Sequence, residues 1–150
     1  MLSIRRNRKI GKLPYQERRR GTAAVEMALT LPLLISAVLG IVEVGRGIMV
    51  SQILETAARN GARLAINQGS TNSQVTSNVQ TFLQTTANVA PANVTVALAD
   101  NGNGSASLAN AAFGDSISVT VSVPFSAVSW LPPQYLKGVT LSALCVMQHE

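Results

Sequence analysis

Seven carboxylates are the whole acidic inventory of this 150-residue chain, and one of them stands where a charge is costly. Glu26 follows Gly21 by five positions, just inside an apolar run that continues without a charge from Met27 to Val42. A carboxylate at bilayer depth costs up to ~2.5–3.5 kcal/mol at a helix centre, less near the interface, and marks function. The other candidates for chemistry are weaker. Asp100-Asn101-Gly102-Asn103-Gly104 resembles the start of a calcium loop. Gly102, however, holds the third ligand position and Ala111 the twelfth, where a bidentate Glu is required, so the stretch reads as a flexible loop. His149 has no Cys or Asp near it and reads as a solvated tail residue. Cys145, the only cysteine, excludes an internal disulfide and a cysteine-based metal site. In its apolar run it reads as a small core hydrophobe, with an intermolecular disulfide as the alternative. Asn93-Val94-Thr95 is a glycosylation acceptor only in a eukaryotic secretory pathway. There is no Gly-rich phosphate loop and no nucleophile elbow, and beyond Ile66 only Asp100, Asp115 and Glu150 are acidic. The expectation is no enzyme, no cofactor and no metal.

The element that must position Glu26 is a helix. From Thr22 to Val42 the chain runs 21 residues broken only by Glu26, close to the ~20 apolar residues that cross a bilayer core. Arg5, Arg6, Arg8, Lys9, Lys12 and Arg18 to Arg20 precede it against Glu17 alone, while the chain from Gly21 on is slightly acidic. The basicity is therefore a topology signal and a membrane-surface patch. It is no nucleic-acid surface, which would also want interleaved aromatics. Residues 1–21 read as an unstructured cytoplasmic leader in which Pro14 breaks any helix. An ordinary secretory signal fits less well, because Gly40-Ile41-Val42-Glu43 continues the helix without a small-x-small cleavage site. Pro32 removes one helical hydrogen bond within the run. Gly40, Gly45 and Gly47 offer either small surfaces for another helix or merely a loose outer end.

Past Val42 the helix is expected to continue through 43–66. Val50, Ile53, Leu54, Ala57, Gly61, Leu64 and Ala65 recur at spacings of three and four, for a total length of about 67 Å from Thr22 at 1.5 Å per residue. Glu55 pairs with Arg59, and Glu43 similarly with Arg46. Asn67 to Asn72 ends the helix, with Gly69 as the left-handed cap. A second helix is predicted from about Ser73 to Ala87, with Val75, Val79, Phe82 and Leu83 on one face. The period then changes to two, over Val94 to Ala99 and Ile117 to Val123, and Val139 to Met147 is expected as a third strand. Residues 67–150 thus form a small outer domain, and the fold class is α+β, with an antiparallel sheet packed on the helices. Trp130-Leu131-Pro132-Pro133-Gln134-Tyr135 is a stiff loop that either covers the end of the core or meets a neighbouring subunit.

The motif around Glu26 carries a resemblance. A basic leader ending in Gly21, with Glu26 just inside an apolar helix, looks like the processing site of type IV pilin-like proteins. Arg19-Arg20-Gly21-Thr22-Ala23-Ala24-Val25-Glu26-Met27-Ala28-Leu29, with Pro32 soon after, resembles more narrowly the TadE-like minor pilins of the tight-adherence pilus system. Ala57-Ala58-Arg59-Asn60-Gly61-Ala62-Arg63-Leu64-Ala65 is similar to a second block of that family, and Met147-Gln148-His149-Glu150 fits its ending loosely. The resemblance implies a pilin-like layout and cleavage between Gly21 and Thr22 by a prepilin peptidase, a membrane aspartic enzyme. It implies assembly through Glu26, with other pilin-like subunits and inner-membrane assembly proteins as partners. Met27 stands where the major pilins of this system usually place Tyr, which favours a minor subunit, and 150 residues leave no space for an added adhesion-like domain.

Two readings follow. In the first the chain is a minor pilin or pseudopilin of the bacterial inner membrane, its domain periplasmic and possible in the pilus itself. In the second it is a permanently anchored single-pass protein whose outer domain binds a ligand or partner. Both require the leader inside and residues 44–150 outside. A reporter fused after Glu150 should therefore be active only when it functions outside the cytoplasm, and activity confined to the cytoplasm would reverse the orientation.

Overall fold

The computed structural model describes residues 15–101, 107–108, 113–130 and 132–148, with the backbone alone for 15–20. The leader up to Pro14, most of the loop after Asn101 and the tail residues His149 and Glu150 lie outside the described residues. The chain divides into two compact units, one ending at Leu39 and one beginning at Gly40. In order it forms helix α1 (Tyr15–Ala65), helix α2 (Asn72–Ala87) and strands β1 (Thr95–Asp100), β2 (Ser116–Pro124) and β3 (Thr140–Gln148). The result is an α+β fold with a pilin-like layout.

α1 starts earlier than the unstructured leader allows. Residues 15–20 are helical, because Gln16, Glu17 and three arginines are good helix formers with no breaker among them. The helix continues across Pro32. Between Gly21 and Leu39 every side chain is exposed, including Val25, Met27, Leu29, Leu33 and Leu34. This segment belongs to a helix long and apolar enough to cross a membrane. An apolar surface on all sides suits a hydrocarbon solvent and not water.

In the second unit α1 becomes one-faced. Val50, Leu54, Ala57, Ala58, Ala62 and Ala65 are fully buried, and Ile53 and Leu64 are half-buried at the edges. Ala58 and Ala62 widen the predicted face. α1 ends at Ala65, and Gly69 does not cap it. With φ 82° Gly69 sits inside a turn closed from Ser70 N–H to the Asn67 carbonyl at 3.2 Å, a position that favours glycine. The Leu64 carbonyl accepts from Asn67 N–H at 3.3 Å and from the Ser70 hydroxyl at 2.6 Å. α2 starts at a capping box. Thr71 Oγ1 accepts from Gln74 N–H at 3.3 Å, and Gln74 Oε1 accepts from Thr71 N–H at 3.1 Å. It ends with Asn88 left-handed, where Val89 N–H reaches the Leu83 carbonyl at 3.4 Å.

The sheet is an antiparallel meander in the order β1-β2-β3. The central strand buries Ile117, Val119, Val121 and Val123 completely. Register aligns Leu98, Val119 and Cys145 in one row, and Val96, Val121 and Ala143 in the next. Cys145 is half-buried against the core. Phe125, directly after β2, is fully buried and fills the end of the core.

Helices and sheet approach each other closely at Gly61. A Cβ there would lie 2.8 Å from Val79 Cγ2 of α2 and 3.3 Å from Val119 Cγ1 of β2. Alanine would gain about 1 kcal/mol of helix propensity, but overpacking of this kind costs about 1–3 kcal/mol. Gly61→Ala is therefore expected to lower the stability of the second unit in chemical unfolding. Combined with Val79→Ala it should cost less than the sum of the two single changes. Additivity, or a stabilised Gly61→Ala, would show that the contact has room.

Candidate functional site

The three residues singled out around the motif all fall on α1. Gly21, Thr22 and Glu26 are exposed, and helical spacing sets Thr22 and Glu26, four apart, on one face. A Cβ on Gly21 would meet nothing within 4 Å. Among the described residues nothing demands glycine there. The Glu26 carbonyl accepts a second, side-chain hydrogen bond from Thr30 Oγ1 at 3.0 Å. Among the described residues no donor meets the Glu26 carboxylate.

Glu43, the next carboxylate on the helix and the first residue past the apolar run, is answered in full. Its oxygens accept from three consecutive backbone N–H groups of the β2-β3 loop. Leu136 lies at 2.7 Å and Tyr135 at 3.1 Å from Oε1, with Gln134 and Tyr135 each at 3.2 Å from Oε2. Successive N–H groups in a turn form an anion-binding concavity, and here the helix supplies the anion. Glu43 is 9% exposed. The expected Glu43–Arg46 pair is therefore not formed. Arg46 instead donates Nε to the Val128 carbonyl at 3.0 Å and Nη2 to that of Ala87 at 3.5 Å. Its guanidinium lies 4.7 Å from the centroid of the Trp130 ring, a cation–π distance. Both charges are drawn to the loop because each finds oriented backbone partners there. The pairing of Glu55 and Arg59 is present at 3.4 Å, between exposed side chains.

The same loop takes up the small surfaces that another helix could have used. A Cβ on Gly40 would be 3.2 Å from Tyr135 Cε2, and one on Gly47 would be 3.4 Å from Leu136 Cδ1 and 3.6 Å from Phe125 Cε2. Gly45 meets nothing within 4 Å. Past the clamp the loop turns into β3 through Gly138, at φ 79°, closed by Val139 N–H on the Leu136 carbonyl at 3.2 Å. Asp100, the first residue of the calcium-like stretch, is buried and hydrogen-bonded or paired at the end of β1. Asn101 N–H donates to the Ser116 carbonyl at 2.8 Å, and Gly102 to Gly104 lie outside the described residues. Among the described residues no group of three or more His, Cys, Asp or Glu is placed to hold a metal ion.

With this geometry in hand, the comparison with known proteins is specific in its extent. Residues 21–63 match the family model described as TadE-like protein. The matched segment begins at Gly21 and stops two residues short of the end of α1, so the likeness covers most of the helix and none of the sheet. It agrees with the resemblance carried by Arg19 to Leu29 and by Ala57 to Ala65. No curated protein and no solved structure matches the chain.

Burial pushes the Glu43 carboxyl up, but the N–H groups of Leu136, Tyr135 and Gln134 pull it down and prevail, leaving it below the ordinary glutamate value. The clamp thus contributes fully above the unfolded carboxyl value of about 4.3 and is lost as pH falls through the lower, folded one. Glu43→Gln would turn an amide N–H2 toward donors that need an acceptor. Amide hydrogen exchange at Gln134, Tyr135 and Leu136 should then accelerate about tenfold or more at neutral pH. The acid-induced loosening of the loop in the native chain should disappear in the variant. Native exchange rates in Glu43→Gln would mean that apolar contacts alone hold the loop.

Proposed function

We propose that the chain is a pilin-like assembly subunit of the tight-adherence pilus system, a minor pilin or pseudopilin. In this reading it is inserted in the bacterial inner membrane with its N-terminus in the cytoplasm and its second unit outside. The observation that carries the proposal is the segment from Gly21 to Leu39, a helix exposed and apolar on all sides and interrupted by one carboxylate. The TadE-like match over residues 21–63 supports it, and so does the α+β layout. The chain acts as a substrate and a building block, not as an enzyme.

The processing step is the cut between Gly21 and Thr22 by a prepilin peptidase. Glycine lets the backbone approach a protein surface closely, and because the fold itself leaves space at Gly21, the requirement for glycine is the peptidase's. The cut creates an ammonium at Thr22, one helical turn from Glu26. The carboxylate then neutralises that charge on the same helix or on a neighbouring subunit's. An unpaired charge in an apolar setting is costly, so pairing would set the axial register of packed helices.

The mass of the membrane-extracted protein tests the first step. Loss of residues 1–21 is expected, and an intact N-terminus would favour a permanently anchored protein with a ligand- or partner-binding outer domain. Gly21→Val should keep its leader. Glu26→Ala should be processed at least in part yet fail to support piliation, with Glu26→Asp intermediate because its stem is shorter. Normal piliation with Glu26→Ala would sink the pairing mechanism.

A further inference from the structure

The β2-β3 loop carries an arrangement that core packing does not explain. Trp130, the only tryptophan, is 74% exposed and Tyr135 is 59% exposed, yet both belong to a loop held firmly against α1. Glu43 binds the backbone on either side of Tyr135, Gly40 gives the Tyr135 ring its seat, and Arg46 stacks on Trp130. Rigid presentation of two large aromatics outward is a cost without a return unless something covers them.

We propose that this loop is a membrane-interface collar, with Trp130 and Tyr135 seated in the headgroup layer of the leaflet from which α1 emerges, and with Arg46 and Lys137 at the level of the lipid phosphates. The inference rests on the reading that residues 22–42 span the membrane. Three observations point to lipid as the occupant. The first is position. Tyr135 sits on Gly40, within the apolar run that ends at Val42, and Trp130 sits on Arg46, four residues beyond it. Gly40 and Arg46 are about 9 Å apart along a helix at 1.5 Å per residue, comparable to the roughly 5–8 Å that the polar layer occupies on each side of a ~30 Å core. The second is composition, since Trp and Tyr concentrate at membrane–water interfaces where their rings are half apolar and half wet. Arg and Lys reach the phosphates from the same depth with apolar stems.

The third observation is charge. Over residues 40–47 and 125–139 the only acid is Glu43, and its oxygens are occupied by three N–H groups. Exposed Lys137 and part-exposed Arg46 therefore leave this band cationic, complementary to anionic headgroups. A neighbouring subunit docking at this level would have to displace the same headgroups.

Trp130 is its own probe, because no other tryptophan contributes to the fluorescence. The full chain is reconstituted into phosphatidylcholine and phosphatidylglycerol vesicles whose acyl chains carry bromine either near the headgroup or near the chain end, with iodide in both aqueous phases as a separate quencher. Loss of most of the Trp130 emission with the shallow bromines is expected, with little loss from the deep ones or from iodide. In Glu43→Gln, where the loop is released, the contrast between shallow bromine and iodide should shrink. Emission open to iodide and untouched by either bromolipid would overturn the proposal. Emission shielded from all three quenchers would overturn it too and assign the patch to a second protein surface. Resistance to alkaline carbonate extraction, measured on the same vesicles, separates the two levels. A retained chain with unquenched Trp130 refutes the collar alone, whereas an extracted chain refutes the membrane span and the collar with it.

Discussion

The second unit depends on a seam of small residues along the outer half of α1. A three-stranded sheet and a four-turn helix cannot close a core by themselves. Here they do so by packing onto Ala57, Ala58, Gly61, Ala62 and Ala65, all buried. Small side chains bring the axis of α1 close to both α2 and β2, so that Val75, Val79 and Val119 all lie within 4 Å of the position a Cβ on Gly61 would take. The larger side chains of the core, Leu54, Leu83, Ile117 and Phe125, then fill the flanks. A buried helix face made of alanine contributes little apolar area per residue, and its value is geometric: it lets the branched residues of the other elements meet across it.

What the seam does for the core, Glu43 does for the loop. The β2-β3 connection has little regular structure of its own beyond the 3-10 turn at Phe125–Ala127, so its polar backbone groups need partners from elsewhere. One carboxylate supplies acceptors for three consecutive donors, and Arg46 supplies the matching donor for the Val128 carbonyl. A cation and an anion three residues apart on one helix normally serve each other. Here each has a backbone partner with better geometry, and the loop is bound to the helix at two levels.

The regular elements were legible because they rest on local patterns. Period-two alternation located β1 and β2 to within a residue, since one face of each is buried, the apolar run from Val139 to Met147 located β3 as closely, and the three- and four-residue spacing of Val50 to Ala65 located the core face of α1. The capping box at Thr71 and Gln74 was present in the sequence as a Thr-x-x-Gln signature, and it sets the start of α2 one residue earlier than periodicity alone did. The helical state of residues 15–20 was hidden by Pro14, which bars a helix from continuing through it but not from starting after it. The clamp was not legible at all. Glu43 and its partners are 91 to 93 residues apart, and neighbouring sequence offered Arg46 as the obvious partner. The glycines were ambiguous for the same reason: Gly40 and Gly47 announce close approach, but only the folded chain says that a loop, not another helix, makes it.

Two glutamates on one helix, seventeen residues apart, therefore serve different ends. Glu43 lies past the apolar run, and its acceptor capacity is used within the chain, so it has little left to offer a partner. Glu26 lies inside the run, where water is excluded if the segment spans a membrane, and among the described residues its carboxylate meets no donor. A charge in that setting is tolerated when something outside the chain answers it. Under the proposed cut ahead of Thr22, the new ammonium would have the right sign to do so, on the same helix at the right spacing or on an adjacent one. The asymmetry between the two carboxylates, one saturated and one open, is the physical reason for proposing assembly as the task of Glu26, while Glu43 serves internal architecture.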